Sequence, residues 1–356
     1  LAGGSKVKLS LCMIVKNEEK NLDQCLGQVK NHIDDIIIID TGSTDRTKET
    51  ALKYTNKVYD FEWCDDFAKA RNYSLSKAEN DWVLVLDADE VITHFDKNSV
   101  ANFIRSSDKV VGRIKRINPF EEGKEIKKYI ERVNRLFNRK YFHYEGIIHE
   151  QLVAKDRSDY HTKPVDIEVD HIGYLNEVVS ATNKLDRNIK LLIKAIQDNP
   201  EDSYLYYQLG KSYYKAKDYK KAADNFYKAI TLCTNFQYEY AEDLIESYGY
   251  SLLQCQRYAD AMELINYRHY YENSPDYHFI VGLIYMNNGY FEEAVKSFEK
   301  CIGLKEGKIE GINSYMPNYN IGVIYEVLGL KEQAVFYYKR CGQYPLAVER
   351  LNKIYG

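Results

Sequence analysis

No run of this sequence approaches the length of a membrane span, which takes about 20 apolar residues. Residues 1–5 lack the charged and apolar regions of a signal peptide and read as an expression remnant. The seven cysteines (12, 25, 64, 233, 255, 301 and 341) are odd in number, scattered, and contain no Cys-x-x-Cys pair. That excludes a disulfide framework and a zinc site and predicts a reducing, cytoplasmic setting. Neither charge sign is in large excess: 49 Lys and Arg stand against 53 Asp and Glu, a net charge of −4. A general nucleic-acid binder or a polybasic membrane binder is thereby disfavoured. A Gly-rich phosphate loop is also missing, which argues against a nucleotidyltransferase.

A length of 356 residues with 45% apolar content can support two domains with sizeable cores. The first half alternates apolar runs with amphipathic stretches. Strands are expected at 7–15, 36–39, 58–59 and 82–86, with helices at 17–30, 47–54 and 66–78. Such short βαβ units predict right-handed crossovers and a parallel sheet. Ser43 or Thr44 is a candidate cap for the helix near Thr47. Between 110 and 170 the pattern is less regular, with strand-like pieces at 110–117, 133–137 and 165–169. Residues 109–140 hold eleven Lys and Arg against four Glu, either a solvated face or a cradle for an anionic group.

The second half changes character. It holds 25 of the 33 tyrosines and no tryptophan. Gly210, Gly282 and Gly322 recur with Tyr213, Tyr285 and Tyr325, and Ala222, Ala294 and Ala334 follow in register. A degenerate copy centres on Tyr248 and Ala261. The four alanines lie 39, 33 and 40 residues apart. This is a tetratricopeptide-like pattern, in which small residues let paired helices pack closely. Most of these tyrosines are expected in the repeat core, with a minority free to grip a peptide. An exposed face of the repeats offers a route to homo-oligomers.

The chemistry gathers at strand ends. The run Trp82-Val83-Leu84-Val85-Leu86 stops at Asp87-Ala88-Asp89. At the carboxyl end of a parallel strand, paired carboxylates can hold a divalent cation against a diphosphate; the plain alternative is an acidic strand terminus. Val15-Lys16-Asn17-Glu18 and Asp40-Thr41-Gly42-Ser43 end two further strands on the same edge.

With these pieces, and with Asp66-Phe67-Ala68-Lys69-Ala70-Arg71-Asn72, the chain resembles the inverting glycosyltransferases of family 2. Arg135-Leu136-Phe137, Gly146-Ile147-Ile148-His149-Glu150 and His171-Ile172-Gly173-Tyr174 extend the likeness to members fused to tetratricopeptide repeats, including bacteriocin S-glycosyltransferases. The resemblance implies an α/β nucleotide-sugar-binding (GT-A) domain over residues 6–180. A linking helix and a repeat superhelix follow over 181–356. It also implies a UDP-sugar donor and an acceptor that is a peptide or protein, a saccharide, or a lipid-linked glycan.

Site roles follow from that resemblance. Asp40 would accept the uracil N3–H, or instead cap the next helix. Val15, Asn17 and Glu18 would flank base and ribose, although acids at 18 and 19 also suit a helix start. Arg71 would meet uracil or pyrophosphate. Asp87 and Ala88 would line the ribose, and Asp89 would bind Mn²⁺ or Mg²⁺ with His171 as a possible nitrogen ligand. Glu150 is the candidate general base, with Asp65, Asp66, Glu90 and Glu145 as rivals. His149 would touch donor phosphate or orient Glu150. Asp45 would fix its loop, and Trp63 would stack on a sugar or pack on the sheet. The competing reading from another class is a repeat scaffold carrying a relic nucleotide domain.

Overall fold

The computed structural model describes residues 8–106, 109–122, 125–172, 180–305 and 307–356. It divides into two compact units, Leu1–Thr182 and Asn183–Gly356.

The first unit contains strands β1 (Ser10–Val15), β2 (Asp35–Asp40), β3 (Val58–Asp60), β4 (Trp82–Val85), β5 (Glu90–Phe95), β6 (Val110–Glu122), β7 (Glu125–Asn138), β8 (Phe142–Glu145), β9 (Gln151–Ala154) and β10 (His161–His171). Its helices are α1 (Leu22–Val29), α2 (Thr47–Leu52), α3 (Phe67–Lys77) and α4 (Lys97–Ser106). Among the described residues one eight-stranded sheet runs β3-β2-β1-β4-β7-β6-β10-β5, and β8 pairs with β9 separately.

The apolar runs of β1, β2 and β4 are buried on both faces because alternate side chains enter opposite layers. Leu11, Met13, Ile36, Ile38 and Leu84 pack with Leu22, Leu26 and Val29 of α1 and with Val100 and Phe103 of α4. Cys12, Ile37, Ile39, Val83 and Val85 pack with Ala68 and Leu75 of α3 on the other side. Each fully buried aliphatic side chain stabilises the sheet by about 1.5–3 kcal/mol.

The parallel expectation holds for β3, β2, β1 and β4 only. Beyond β4 the sheet is mixed: β7 is antiparallel to both β4 and β6, β10 is parallel to β6, and β5 is antiparallel to β10. The cause is the long antiparallel pairing of the consecutive strands β6 and β7, which have no crossover helix between them. Helix α2 is also shorter than expected, and its first-turn cap is neither Ser43 nor Thr44: Arg46 holds that position without a side-chain hydrogen bond.

A helix over Ser180–Asp198 begins in the first unit and runs into the second, where among the described residues four pairs follow: Ser203–Lys215 with Tyr219–Leu232, Glu239–Gln254 with Tyr258–Ala261, Pro275–Asn287 with Phe291–Ile302, and Tyr315–Val327 with Lys331–Arg340. Pro345–Tyr355 ends the array. The second member of the degenerate pair passes into a 3-10 turn at Met262–Tyr267. The glycine spacing has a steric cause. A Cβ on Gly210, Gly282 or Gly322 would come within 2.6, 2.5 or 2.6 Å of the rings of Phe226, Phe298 and Tyr338. Ala222, Ala261, Ala294 and Ala334 are fully buried. Asp202, Asp218 and Ser274 cap their helices. The tyrosines divide: Tyr207, Tyr248, Tyr271, Tyr277 and Tyr338 are buried, whereas Tyr227, Tyr238, Tyr270, Tyr290 and Tyr355 are exposed. Among the described residues no helix is long and apolar enough to cross a membrane.

Candidate active site

The parallel order β2-β1-β4 brings three strand ends to one edge of the sheet. The loops after β1 and β2 are joined by hydrogen bonds. Asn17, in the left-handed region at φ 56°, donates its N–H to Ser43 Oγ (2.9 Å) and accepts from the Thr44 N–H (2.8 Å). The Glu18 N–H donates to Thr47 Oγ1 (2.7 Å), and the Thr41 N–H to the Val15 carbonyl (2.9 Å). Asp45 accepts from the N–H groups of Glu19 (3.3 Å) and Thr47 (3.0 Å), which fixes the loop. Ser43 and Thr44 are therefore engaged with Asn17, which explains why they do not cap α2.

Asp40, 1% exposed, splits its two oxygens. Oδ1 accepts from the N–H groups of Gly42 (2.9 Å) and Ser43 (2.8 Å), whereas Oδ2 is buried without a hydrogen-bond partner. Only the turn, not a helix, uses this carboxylate. An unsatisfied buried carboxylate oxygen is costly unless a ligand donor meets it.

At the end of β4 lies a charge network. Asp87 Oδ1 accepts from Arg71 Nη2 (2.9 Å) and Oδ2 from Arg135 Nη2 (2.7 Å). Arg71 Nε also donates to Glu150 Oε1. Arg135 Nη2 and Arg116 Nη1 both donate to Glu90 Oε1, at 2.9 and 2.8 Å, and the Asp87 N–H donates to Glu90 Oε2 at 3.0 Å. Glu90 is wholly buried. Burial alone would raise the Asp87 carboxyl, but the guanidiniums of Arg135 and Arg71 outweigh it and hold the group well below the usual carboxylate range. Burial likewise works against the Arg71 charge, yet Asp87 and Glu150 keep it firmly protonated. The Arg71 guanidinium lies 5.7 Å from the Tyr144 ring centroid, and burial pushes the Tyr144 hydroxyl up to about 12.

Asp89, two residues on, meets a histidine rather than an arginine. Its Oδ2 faces His171 Nε2 at 3.1 Å, and the Ile172 N–H donates to the Asp89 carbonyl at 2.9 Å. His171 Nδ1 faces Asn118 Oδ1 at 2.8 Å. Among the described residues no group of three or more His, Cys, Asp or Glu is arranged to hold a metal ion; Asp89 and His171 offer two protein ligands. Gly173 and Tyr174 of the same motif lie outside the described residues.

Glu150 is positioned from the other side. The Asn72 side chain bonds both the carbonyl and the N–H of Tyr144 (2.8 and 2.9 Å), and the Phe67 N–H donates to the Ile147 carbonyl (2.9 Å). Helix α3 thus grips the 144–150 segment, in which His149 has φ 50°. Glu145 pairs with His143 (2.7 Å) and Arg157 (2.8 Å), and Asp66 Oδ1 caps α3 through the Lys69 N–H (2.9 Å). The Trp63 indole donates to Asp65 Oδ1 (2.8 Å) and its ring meets Phe67 edge-on at 4.8 Å.

Sequence reasoning missed Arg116 and Asn118 as site components, read Glu90 only as a rival base, and quoted Arg135 without giving it a role. Part of the basic stretch 109–140 is neither a solvated face nor an open anion cradle, because Arg116 and Arg135 are neutralised inside the domain. The available signal was parity. Ile114, Arg116 and Asn118 share one face of β6, opposite Val133, Glu131 and Tyr129 of β7.

The glycosyl transferase family 2 pattern matches residues 10–159, and the tetratricopeptide repeat pattern matches 203–236, 275–308 and 317–341. A TPR repeat-containing protein of Synechococcus elongatus is 31% identical over 62% of this chain and 56% of its own length. The SPbeta prophage-derived glycosyltransferase SunS of Bacillus subtilis is 29% identical over 61% of this chain and 53% of its own length. The chain therefore spans about half the length of these curated relatives. The crystal structure of MamA aligns with 49% of this chain and 94% of its own, at 21% identity and a TM-score of 0.40. The strand-end site belongs to a family 2 glycosyltransferase domain, which this chain joins to tetratricopeptide repeats.

Proposed function

We propose that the chain is an inverting, metal-dependent glycosyltransferase. It moves a sugar from a UDP-sugar to a Cys, Ser or Thr side chain of a peptide or protein held by the repeats. The observation that carries this reading is Asp89 Oδ2 facing His171 Nε2 at 3.1 Å, just beyond the end of β4.

Several features support the donor. The unpartnered Asp40 Oδ2 suits the N3–H of uracil. Val15, Asn17 and Glu18 flank the base and ribose from the adjoining strand end, whereas Ala88 is buried in the apolar core and offers the ribose only its backbone beside Asp87. The donor set at Asp89 and His171, one carboxylate oxygen and one imidazole nitrogen, fits Mn²⁺ or Mg²⁺ completed by phosphate and water, with the nitrogen favouring Mn²⁺. When bound, such an ion neutralises charge on the departing diphosphate.

Glu150 acts as general base, and Arg71 orients its carboxylate through Oε1. The acceptor O–H or S–H gives its proton to Glu150 while the oxygen or sulfur bonds to the anomeric carbon. The bond from that carbon to the diphosphate oxygen breaks, and its electron pair leaves with UDP. A thiol acceptor, with a pKa near about 8.5, demands less of the base. His149 contacts the donor phosphate. Arg71, with Nη1 unpartnered, keeps Asp87 in place and presents positive charge near the leaving group. The tetratricopeptide repeats support a protein partner.

Calorimetric titration with UDP, with and without Mn²⁺, tests the reading on the native chain and on Asp89→Ala. Metal-dependent binding that disappears in the variant is expected. Absence of UDP binding under every metal condition would overturn it.

A further inference from the structure

We propose that Asn118 is a positioning residue that fixes the tautomer of His171, so that Nε2 turns its lone pair toward a metal held with Asp89. This inference rests on the metal site proposed above.

Asn118, 6% exposed, lies on β6. Its Nδ2 donates to Glu131 Oε1 (2.9 Å) and to the Tyr129 carbonyl (3.2 Å). The amide nitrogen is thus committed to two acceptors, and the oxygen is the atom that meets His171 Nδ1 at 2.8 Å. An amide oxygen only accepts, so Nδ1 must carry the hydrogen. In the neutral ring Nε2 is then an acceptor, and it faces a carboxylate oxygen at 3.1 Å. Two converging acceptors are joined by a cation, either a proton in an ion pair with Asp89 or a metal ion, and a neutral imidazole with its other nitrogen anchored is the form that ligates metals.

The amide cannot turn over cheaply. Glu131 Oε1 is also bound by Arg116 Nε (3.1 Å) and Nη2 (2.9 Å), and Arg116 reaches Glu90 as well. An unbroken chain of hydrogen bonds therefore runs from Glu150 through Arg71, Asp87, Arg135, Glu90, Arg116, Glu131, Asn118 and His171 to Asp89. The two carboxylates of the Asp-x-Asp motif are set by one scaffold from opposite ends.

Histidine side-chain ¹⁵N spectra of the metal-free native chain, at a pH where the ring is neutral, read the tautomer directly. His171→Gln assigns the signal. Protonation at Nδ1 is expected, and a neutral ring protonated at Nε2 overturns the proposal without any variant of Asn118 having to fold. Mn²⁺ affinity in the presence of UDP, measured by electron paramagnetic resonance, gives the second readout. Asn118→Leu is expected to weaken Mn²⁺ roughly 10- to 100-fold, with metal-free UDP affinity unchanged and a lower thermal midpoint, because Glu131 and the Tyr129 carbonyl lose a donor. If His171→Ala weakens Mn²⁺ but Asn118→Leu does not, the positioning role fails alone. If His171→Ala has no effect, the metal site itself fails, and this role with it.

Discussion

Removing the Glu90 carboxylate should unfold the first unit far more readily than its surface charges do. Glu90 is fully buried and accepts from Arg135 (2.9 Å), Arg116 (2.8 Å) and the Asp87 N–H (3.0 Å). Glu90→Ala leaves two guanidiniums sharing the remaining carboxylates of Asp87 and Glu131. Taking one partner from a buried ion pair costs about 3–5 kcal/mol. Two lost charge-assisted hydrogen bonds at about 1.5–3 kcal/mol each sum to about 3–6 kcal/mol, which overlaps that range. With a urea slope of roughly 2–3 kcal/mol per molar for a unit of this size, the midpoint should fall by about 1–2.5 M. Both tryptophans, Trp63 and Trp82, lie in the first unit, so their fluorescence follows that unit alone. Glu90→Gln, which keeps the shape and one acceptor, should fall between native and Ala. Lys109→Ala removes an exposed pair with Asp156 and should leave the midpoint unchanged. A Glu90→Ala midpoint indistinguishable from that of Lys109→Ala would refute the idea that a buried charge lattice holds this site.

Other outcomes follow from the same geometry. Asp40→Asn keeps the turn contacts through Oδ1 but loses the charged acceptor, so UDP affinity by calorimetry should fall roughly 10- to 100-fold. Because the folded Asp87 carboxyl sits well below its unfolded pKa of about 3.9, its stabilisation is complete above that value and is lost as pH falls through the folded one. Tryptophan-monitored stability should therefore decline with acidification below about pH 4, with a shallower slope in Asp87→Asn. In the second unit, Gly282→Ala drives a Cβ to 2.5 Å from the buried Phe298 ring and should cost about 1–3 kcal/mol by thermal unfolding.

What was legible in the sequence is what repeats or runs. The strands at 10–15, 35–40 and 82–85 show as apolar runs because both faces are buried, and their acids follow abruptly. The repeats show because glycine and alanine recur wherever helices touch. The β6–β7 pair was less legible. Its charged side chains alternate with apolar ones, and the length and antiparallel pairing depend on partners distant in sequence. Arg135 illustrates the limit: one arginine in a basic stretch carries no local mark that Asp87 and Glu90, 48 and 45 residues away, will enclose it. Asn118 carried only the parity it shares with Ile114 and Arg116, since its role exists only once β6, β7 and β10 are side by side. Asp40 was placed at its strand end from sequence, but the division of labour between its two oxygens required the folded turn.

The most direct test of the account is UDP release from a panel of UDP-sugars, with Mn²⁺ present or chelated, for the native chain and for Asp89→Ala and Glu150→Gln. The account predicts metal-dependent release from at least one UDP-sugar, stimulated by acceptor peptide and lost in both variants. Native protein that binds UDP yet consumes no UDP-sugar under any of these conditions would contradict it and leave the repeats as the working part of the chain.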